Sequence, residues 1–335
     1  MSAAPTTYVK ATAWREAISR DELRELLVQS DLRSWISIGV NWAIVFASFA
    51  MVAVWTNPLT IVLALFLIGA RQLGFAVMMH EASHRTLLRD RRWNDWVGNW
   101  LCAYPVWSDI HPYRAYHVQH HAKTGTQDDP DLGLVKPFPI TPASLRRKFW
   151  RDISGQTGLK FFKASVRRTF GRWREDPVAR RAAQGVLVTN LVLLAILTAA
   201  GHPWLYLLWV VAWFTTNTLV TRIRAIAEHA LTPDREEPFG RTRTTIARWW
   251  ERLFLAPNRV NFHLEHHLAM TVPHYRLPEM HRLLQERGML DDSPIDVGYW
   301  SVLKRAASKR EDGSRAVAED GSRDDDPMPV RYPPF

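Results

Sequence analysis

The chain has a single cysteine, Cys102, in 335 residues. That excludes an internal disulfide framework and any zinc or iron–sulfur site built on clustered thiolates. A Cys-x-x-Cys ferredoxin pattern, a His-Pro-Gly-Gly haem signature and a Gly-x-Gly-x-x-Gly fingerprint are also missing, so no electron-carrying module is legible. Charge itself is absent over long stretches. Ser37 to Trp55 carries none, Pro58 to Met79 carries only Arg71, and Ala182 to Thr221 has no Lys, Arg, Asp or Glu. The mean hydropathy of −0.19 conceals these runs, because the polar residues are concentrated elsewhere.

A bilayer core takes about 20 apolar residues per helix. The runs therefore predict four spans, roughly 36–56, 58–80, 183–200 and 203–222, paired into two hairpins by breaks at Thr56-Asn57-Pro58 and Gly201-His202-Pro203. Buried helices of a soluble bundle would keep polar outer faces, and these have none. The hairpin turns lack Lys and Arg. Apart from Arg71, the basic residues fall in the N-terminal arm, the central segment 81–181 and the region from 222 onward. Basic residues accumulate in cytoplasmic loops, so both termini and the central segment are expected on the cytoplasmic side of a bacterial inner membrane. The net charge of +10 then faces lipid headgroups and not nucleic acid. Arg71 is costly in lipid and is expected to face the bundle as a packing element. Trp93 to Trp107 holds four tryptophans, is too short to span, and reads as interfacial or re-entrant.

The expected architecture is an all-α integral membrane protein: an N-terminal arm at 1–34, a membrane domain at 35–303 with a cytoplasmic helical cap, and a tail at 304–335. The N-terminus opens polar and does not read as a cleaved signal peptide. The tail has a near-repeat, Glu311-Asp312-Gly313-Ser314-Arg315 and Glu319-Asp320-Gly321-Ser322-Arg323, and a composition expected to be disordered.

Thirteen histidines are the anomaly in what is present. His80 and His84 lie i and i+4 in His80-Glu81-Ala82-Ser83-His84 and share a helix face. His117, His120 and His121 form a His-x-x-His-His box, and His263, His266 and His267 repeat it. Chance would give roughly 0.02 such boxes in a chain of this composition. All eight imidazoles fall on the expected cytoplasmic side. They exceed what one tetrahedral ion takes and suit two ions of higher coordination. Without thiolates or a carboxylate cage, two ferrous ions activating oxygen are the economical reading. His80-Glu81-Ala82-Ser83-His84 also satisfies the zinc-protease pattern with Glu81 as general base, but that leaves both boxes unexplained. Otherwise Glu81 is expected to hold a liganding histidine in orientation.

This order of three histidine motifs resembles the membrane fatty acid desaturase and hydroxylase superfamily. The stretch from Tyr113 through His121, followed by Thr124 to Asp131 with its closing Asp129-Pro130-Asp131, looks like the family's second box and follower. His266 to Pro273, with Leu277-Pro278, looks like the third box and its follower. The resemblance covers roughly residues 35 to 290. It implies a ninth ligand about thirty residues before the third box, a role carried onto His229, and an Asn that holds a metal-bound water, for which Asn258 and Asn261 are candidates. Glu228 and Glu265 join Glu81 as residues expected to stand behind the ligands. His111, His202, His274 and His281 match no family ligand, and Ala269-Met270 departs from the Phe-Pro common in relatives.

The resemblance further implies two Fe2+ ions, O2, and removal of hydrogen from an unactivated methylene of an acyl chain carried as acyl-lipid, acyl-CoA, acyl-ACP or free fatty acid. Desaturation is the leading expectation. A hydroxylase, a carotenoid ketolase or hydroxylase, or a decarboxylase forming terminal alkenes would show the same boxes. Electrons must come from an external ferredoxin-type or cytochrome b5-type donor. Residues 146–181 hold twelve basic side chains against three acidic ones, a face suited to an acidic donor or carrier, and equally to anionic lipid.

Overall fold

The computed structural model describes residues 13–135, 137–171, 173–232, 238–291 and 293–308. The near-repeat and the rest of the tail beyond 308 lie outside the described residues, as does the start of the arm. Four helical segments are long and apolar enough to cross a membrane: Asp31–Val54, Pro58–His84, Pro177–Ala199 and Pro203–His229.

The first two spans are joined by a tight turn with clear local causes. Asn57 caps the second helix by accepting from the backbone N–H groups of Leu59 and Thr60, and Pro58 occupies the first helical turn. The second span is the centre of the molecule. Its outer residues, around Leu59, Val62 and Leu63, are exposed as lipid-facing residues should be, whereas Ile68 to Ser83 is buried throughout. It packs against the first span on one side and the fourth on the other. Gly69 permits the latter approach: a Cβ there would stand 2.3 Å from Thr216 Oγ1, whose hydroxyl donates to the Leu65 carbonyl at 2.6 Å.

Two boundaries move relative to the sequence expectation. The second helix does not stop at 80 but continues through His84, ending at Arg85 in the left-handed region. The fourth runs past 222 to His229, interrupted at Thr215, whose φ of −121° and ψ of −83° separate Tyr206–Phe214 from Thr216–His229. Charged residues Arg222, Arg224 and Glu228 misplaced the boundary, because hydropathy marks where lipid ends and not where a helix ends. Arg222 pairs with the fully buried Asp152 of the helix Pro142–Ile153, so its charge is compensated inside protein.

Arg71 packs inward as expected. It is 4% exposed and donates to Asn41 Oδ1 and the Leu253 carbonyl. The 93–107 stretch is a helix, Arg91–Val97, that continues through a π-helical turn and a short 3-10 turn to Val106. Trp93 and Trp96 remain exposed, and their rings lead through Trp100 to Tyr104 with centroids 5.6, 6.2 and 5.4 Å apart.

Trp14, Ile18 and Leu26 of the arm bury against Leu264, Val272, Met280 and Leu284 in a second apolar cluster. At the other end, Lys304 to Ala306 complete the helix Tyr299–Ala306, with Ala306 fully buried. The strands among the described residues are Thr244–Ile246 and Ile295–Val297, paired in parallel with Thr244 opposite Ile295.

Candidate metal centre

The nine histidines expected as ligands all come from helix ends that converge on one region. The second span supplies His80 and His84, the helix Ile110–Lys123 supplies His117, His120 and His121, the fourth span ends on His229, and the helix His263–Leu268 supplies the rest. The last turn of the fourth span is held by Arg243, which is 2% exposed and donates to the carbonyls of Ala227 and Ala230. A buried cation at a helix C-terminus satisfies carbonyls that the helix itself cannot.

The nine fall into two groups. His80, His84, His117, His121 and His266 form one, and His120, His229, His263 and His267 the other; within each group one ligating atom per residue lies within 4.8 Å of the rest. The groups adjoin, with the rings of His121 and His267 stacked at 4.2 Å. The boxes are therefore shared between the groups. Successive helical residues turn by about 100°. Residues i and i+4 diverge by only about 40°, while i+3 and i+4 are about 100° apart. So His117 and His121 stay together while His120 turns to the other group. The third box follows the same geometry in the opposite direction: His263 and His267 stay together in the second group and His266 crosses to the first.

The spacing inside the groups speaks to coordination. The Nε2 atoms of His117 and His121 are 2.9 Å apart, those of His121 and His266 3.0 Å, those of His229 and His263 2.8 Å, and those of His263 and His267 3.1 Å. Donors about 2.1 Å from a shared ion stand about 3.0 Å apart at right angles and about 3.4 Å apart in a tetrahedron. The donor set thus fits ions of five or six ligands better than tetrahedral ones. The buried Nε2 atoms of His80 and His84 have no hydrogen-bond partner, as expected of nitrogens reserved for a metal.

Burial pushes His117, His121, His263, His266 and His267 well below the usual imidazole range, and the neighbouring imidazoles push the same way. Neutral imidazole is the ligating form. His120 differs: burial works against its proton, but Asp129 and Asp131 outweigh it and raise its pKa. Its Nδ1 lies 2.8 Å from Asp129 Oδ1, which leaves Nε2 for the centre. Asp129 is itself fixed by accepting from the Gly125 and Asp131 backbone N–H groups. Sequence reasoning quoted this Asp-Pro-Asp stretch as part of a motif without giving it a task. Its task is to orient His120.

The remaining candidates separate clearly. Glu81 Oε1 faces His80 Nδ1 at 3.5 Å, and its Oε2 accepts from Thr86 Oγ1 and the His274 backbone N–H at 3.0 and 2.9 Å. It holds its neighbours and is not poised as a base. Glu265 accepts from Thr244 Oγ1 at 2.5 Å and pairs with His281 at 2.6 Å, anchoring the third box to the strand and to the helix Leu277–Glu286. His274 and His281, without a family role, are thus the partners of box carboxylates. Glu228 Oε2 lies 3.6 Å from His263 Nε2. Asn258, in the left-handed region at φ 53°, is occupied by Asn41 and the Gly74 carbonyl, within the network that holds Arg71. Asn261 donates to the Thr245 carbonyl.

A cavity opens on the centre between the helix of the second box, the fourth span and the helix Gln156–Phe170. His117, His120, His229 and His263 reach it, beside Tyr113, Tyr116, Arg224 and Glu228, with Leu134, Val135 and Phe161 among its apolar lining.

The profile of the fatty acid desaturase family matches residues 53–299, which include the nine histidines. The chain belongs to that family. It is accordingly an oxidoreductase of the membrane desaturase type, acting on lipid substrates in a membrane setting. Among characterised proteins it is similar to a dihydrorhizobitoxine desaturase of Bradyrhizobium elkanii, 28% identical over 83% of this chain and 86% of the relative. It is also similar to an sn-1 oleoyl-lipid 12-desaturase of a Synechocystis strain, 26% identical over 65% and 66% of the two chains. A beta-carotene ketolase of a Paracoccus strain is 26% identical over 66% of this chain and 79% of its own length. These matches bear out the family reading of the three boxes and the expected acyl desaturation chemistry.

Proposed function

We propose that the two histidine groups each hold an iron ion, His80, His84, His117, His121 and His266 at one and His120, His229, His263 and His267 at the other, and that the chain inserts a double bond into an acyl chain lying in the adjoining cavity. The observation that carries this is the division of nine helix-borne imidazoles into two close donor sets opening on one cavity. When bound, the pair of ions supplies the oxidising power drawn from O2 and external electrons. The protein's own task is geometric. Four helix ends hold the donors rigidly, Asp129 and Glu81 fix imidazole orientation from behind, and the buried end of the second span keeps bulk water from the site.

In this reading the histidine-bearing helix ends, both termini and the central segment face the cytoplasm of a bacterial inner membrane, supported by the distribution of basic residues. The donor is a ferredoxin-type or cytochrome b5-type protein that docks on the basic face at 146–181.

The test is metal content and reductant-dependent O2 uptake of purified protein, wild type beside His266→Ala, followed by lipid product analysis. About two irons per chain, with uptake lost in the variant, supports the reading. One zinc per chain, indifferent to His266→Ala, sinks it. Product analysis separates a new double bond from hydroxyl, keto or terminal-alkene products.

A further inference from the structure

Along the second span, Arg71 stands about 20 Å and Gly74 about 24 Å from Pro58, at about 1.5 Å per residue. The turn before Pro58 marks the far surface of the bilayer, with Trp55 and Leu59 exposed beside the polar Asn57. A hydrocarbon core is about 30 Å thick, so Arg71 and Gly74 lie within its near leaflet. Arg71 donates to the Leu253 carbonyl, and Asn258 donates to the Gly74 carbonyl at 2.8 Å. The helix Trp249–Phe254 and the turn Pro257–Arg259 are therefore tied at the depth of acyl chains and not above the headgroups.

The outward face beside that helix is apolar. Ile246 and Val297 stand opposite one another in the strand pair, with Val297 67% exposed. Trp249 is 72% and Trp300 63% exposed, and Trp250 joins them. The Gly298 N–H donates to the Ile246 carbonyl and the Tyr299 N–H to Glu251 Oε1, which brings the two halves of the face together. The exposed charges around it have one sign: Arg248, Arg252 and Lys304, the last with its ammonium 5.8 Å from the centroid of the Trp300 ring. The nearby acids are taken up within the protein. Glu251 is fully buried and accepts from the Arg248 and Tyr299 backbone N–H groups, while Asp296 pairs with Arg243 and Arg305.

We propose that this face is inserted in the leaflet on the histidine side, its indole and aliphatic groups at the boundary of headgroups and acyl chains and its basic rim on the phosphates of anionic phospholipids. This rests on the four spans crossing a bilayer and not on the identity of the metal. An acidic protein would meet the charges, but it could not follow the indoles down to the level of Arg71. The strand that presents Ile246 also carries Thr244, which anchors Glu265 of the third box. Lipid contact thus sets the height of that box relative to the bilayer.

The test uses the full chain in vesicles of phosphatidylcholine with about 30 mol% phosphatidylglycerol. Subtracting the emission of a variant with both Trp249→Phe and Trp300→Phe isolates the two rings, and both substitutions sit on the surface. The difference emission is expected to be quenched by lipids brominated near the headgroup end of their chains and spared by aqueous acrylamide. Brominated phosphatidylglycerol should quench about fivefold more than the same mole fraction of brominated phosphatidylcholine, the preference of a single basic side chain at an anionic surface. Arg252→Gln with Lys304→Gln should bring that ratio close to unity. Quenching by acrylamide and not by brominated lipid overturns the proposal and gives the face to a partner in water. Insertion with equal quenching by the two brominated lipids overturns the assignment of the basic rim to anionic headgroups.

Discussion

Removing the metal should leave a protein that is stable near neutrality and collapses on mild acidification. His117, His121, His263, His266 and His267 are buried among one another and held well below the usual imidazole range. In the unfolded chain they titrate near 6.5. Above that value neither state holds these protons and stability does not depend on them. As pH falls through 6.5 the unfolded chain takes up protons that the folded protein refuses, so stability falls. Each such histidine costs about 1.4 kcal/mol per pH unit, and five acting together approach about 7 kcal/mol per unit. Domains are stable by about 5–15 kcal/mol, so one to two units suffice. His120 does not rescue the balance. Its raised pKa adds stability that is fully present below 6.5, where both states hold its proton, and so contributes no slope in this window. The assay is thermal unfolding in detergent at pH 7.5, 6.5 and 5.5, with and without metal. The metal-free midpoint should drop steeply between the last two values and the loaded protein much less. Equal metal-free midpoints at 7.5 and 5.5 would refute the reasoning.

Asp129→Asn removes the charge behind His120 and should weaken the four-histidine site about 10-fold to 100-fold, leaving the five-histidine site nearly unchanged in a Co2+ titration. Gly69→Ala drives a methyl group into Thr216 at the crossing of the second and fourth spans; a loss of about 1–3 kcal/mol, read by thermal unfolding with metal content per folded protein preserved, is expected. Asp152→Ala strands the Arg222 guanidinium beside the cavity and should cost about 3–5 kcal/mol, whereas replacing both residues with apolar ones of similar size should recover most of it.

The box histidines that converge in the structure could be read from spacing because a helical motif repeats its own geometry, and His229, which joins them there, was added through likeness alone, having no neighbour in sequence to betray it. The division of labour among them could not be read. Whether His120 stays with His121 or leaves it depends on where a second helix, remote in sequence, places its own imidazoles. The same limit hid Arg243 and Asp129, whose meaning comes from a helix end and a ring nitrogen that only tertiary structure brings near. Hydropathy located the lipid-facing parts of the spans well. It misjudged their ends, since Arg222, Arg224 and Glu228 are polar residues of a helix that had already left the lipid for protein.

The exchange of one histidine between the second and third boxes has a consequence for assembly. In the two-ion reading proposed above, each of those helices grips both ions, so neither ion can be seated without ordering parts of both helices. The first ion to arrive therefore does most of the ordering needed by the second, and loading should be cooperative, with singly occupied molecules scarce at half saturation. The same interlocking makes the centre unforgiving of drift: losing an imidazole of either box loosens a helix that serves both groups.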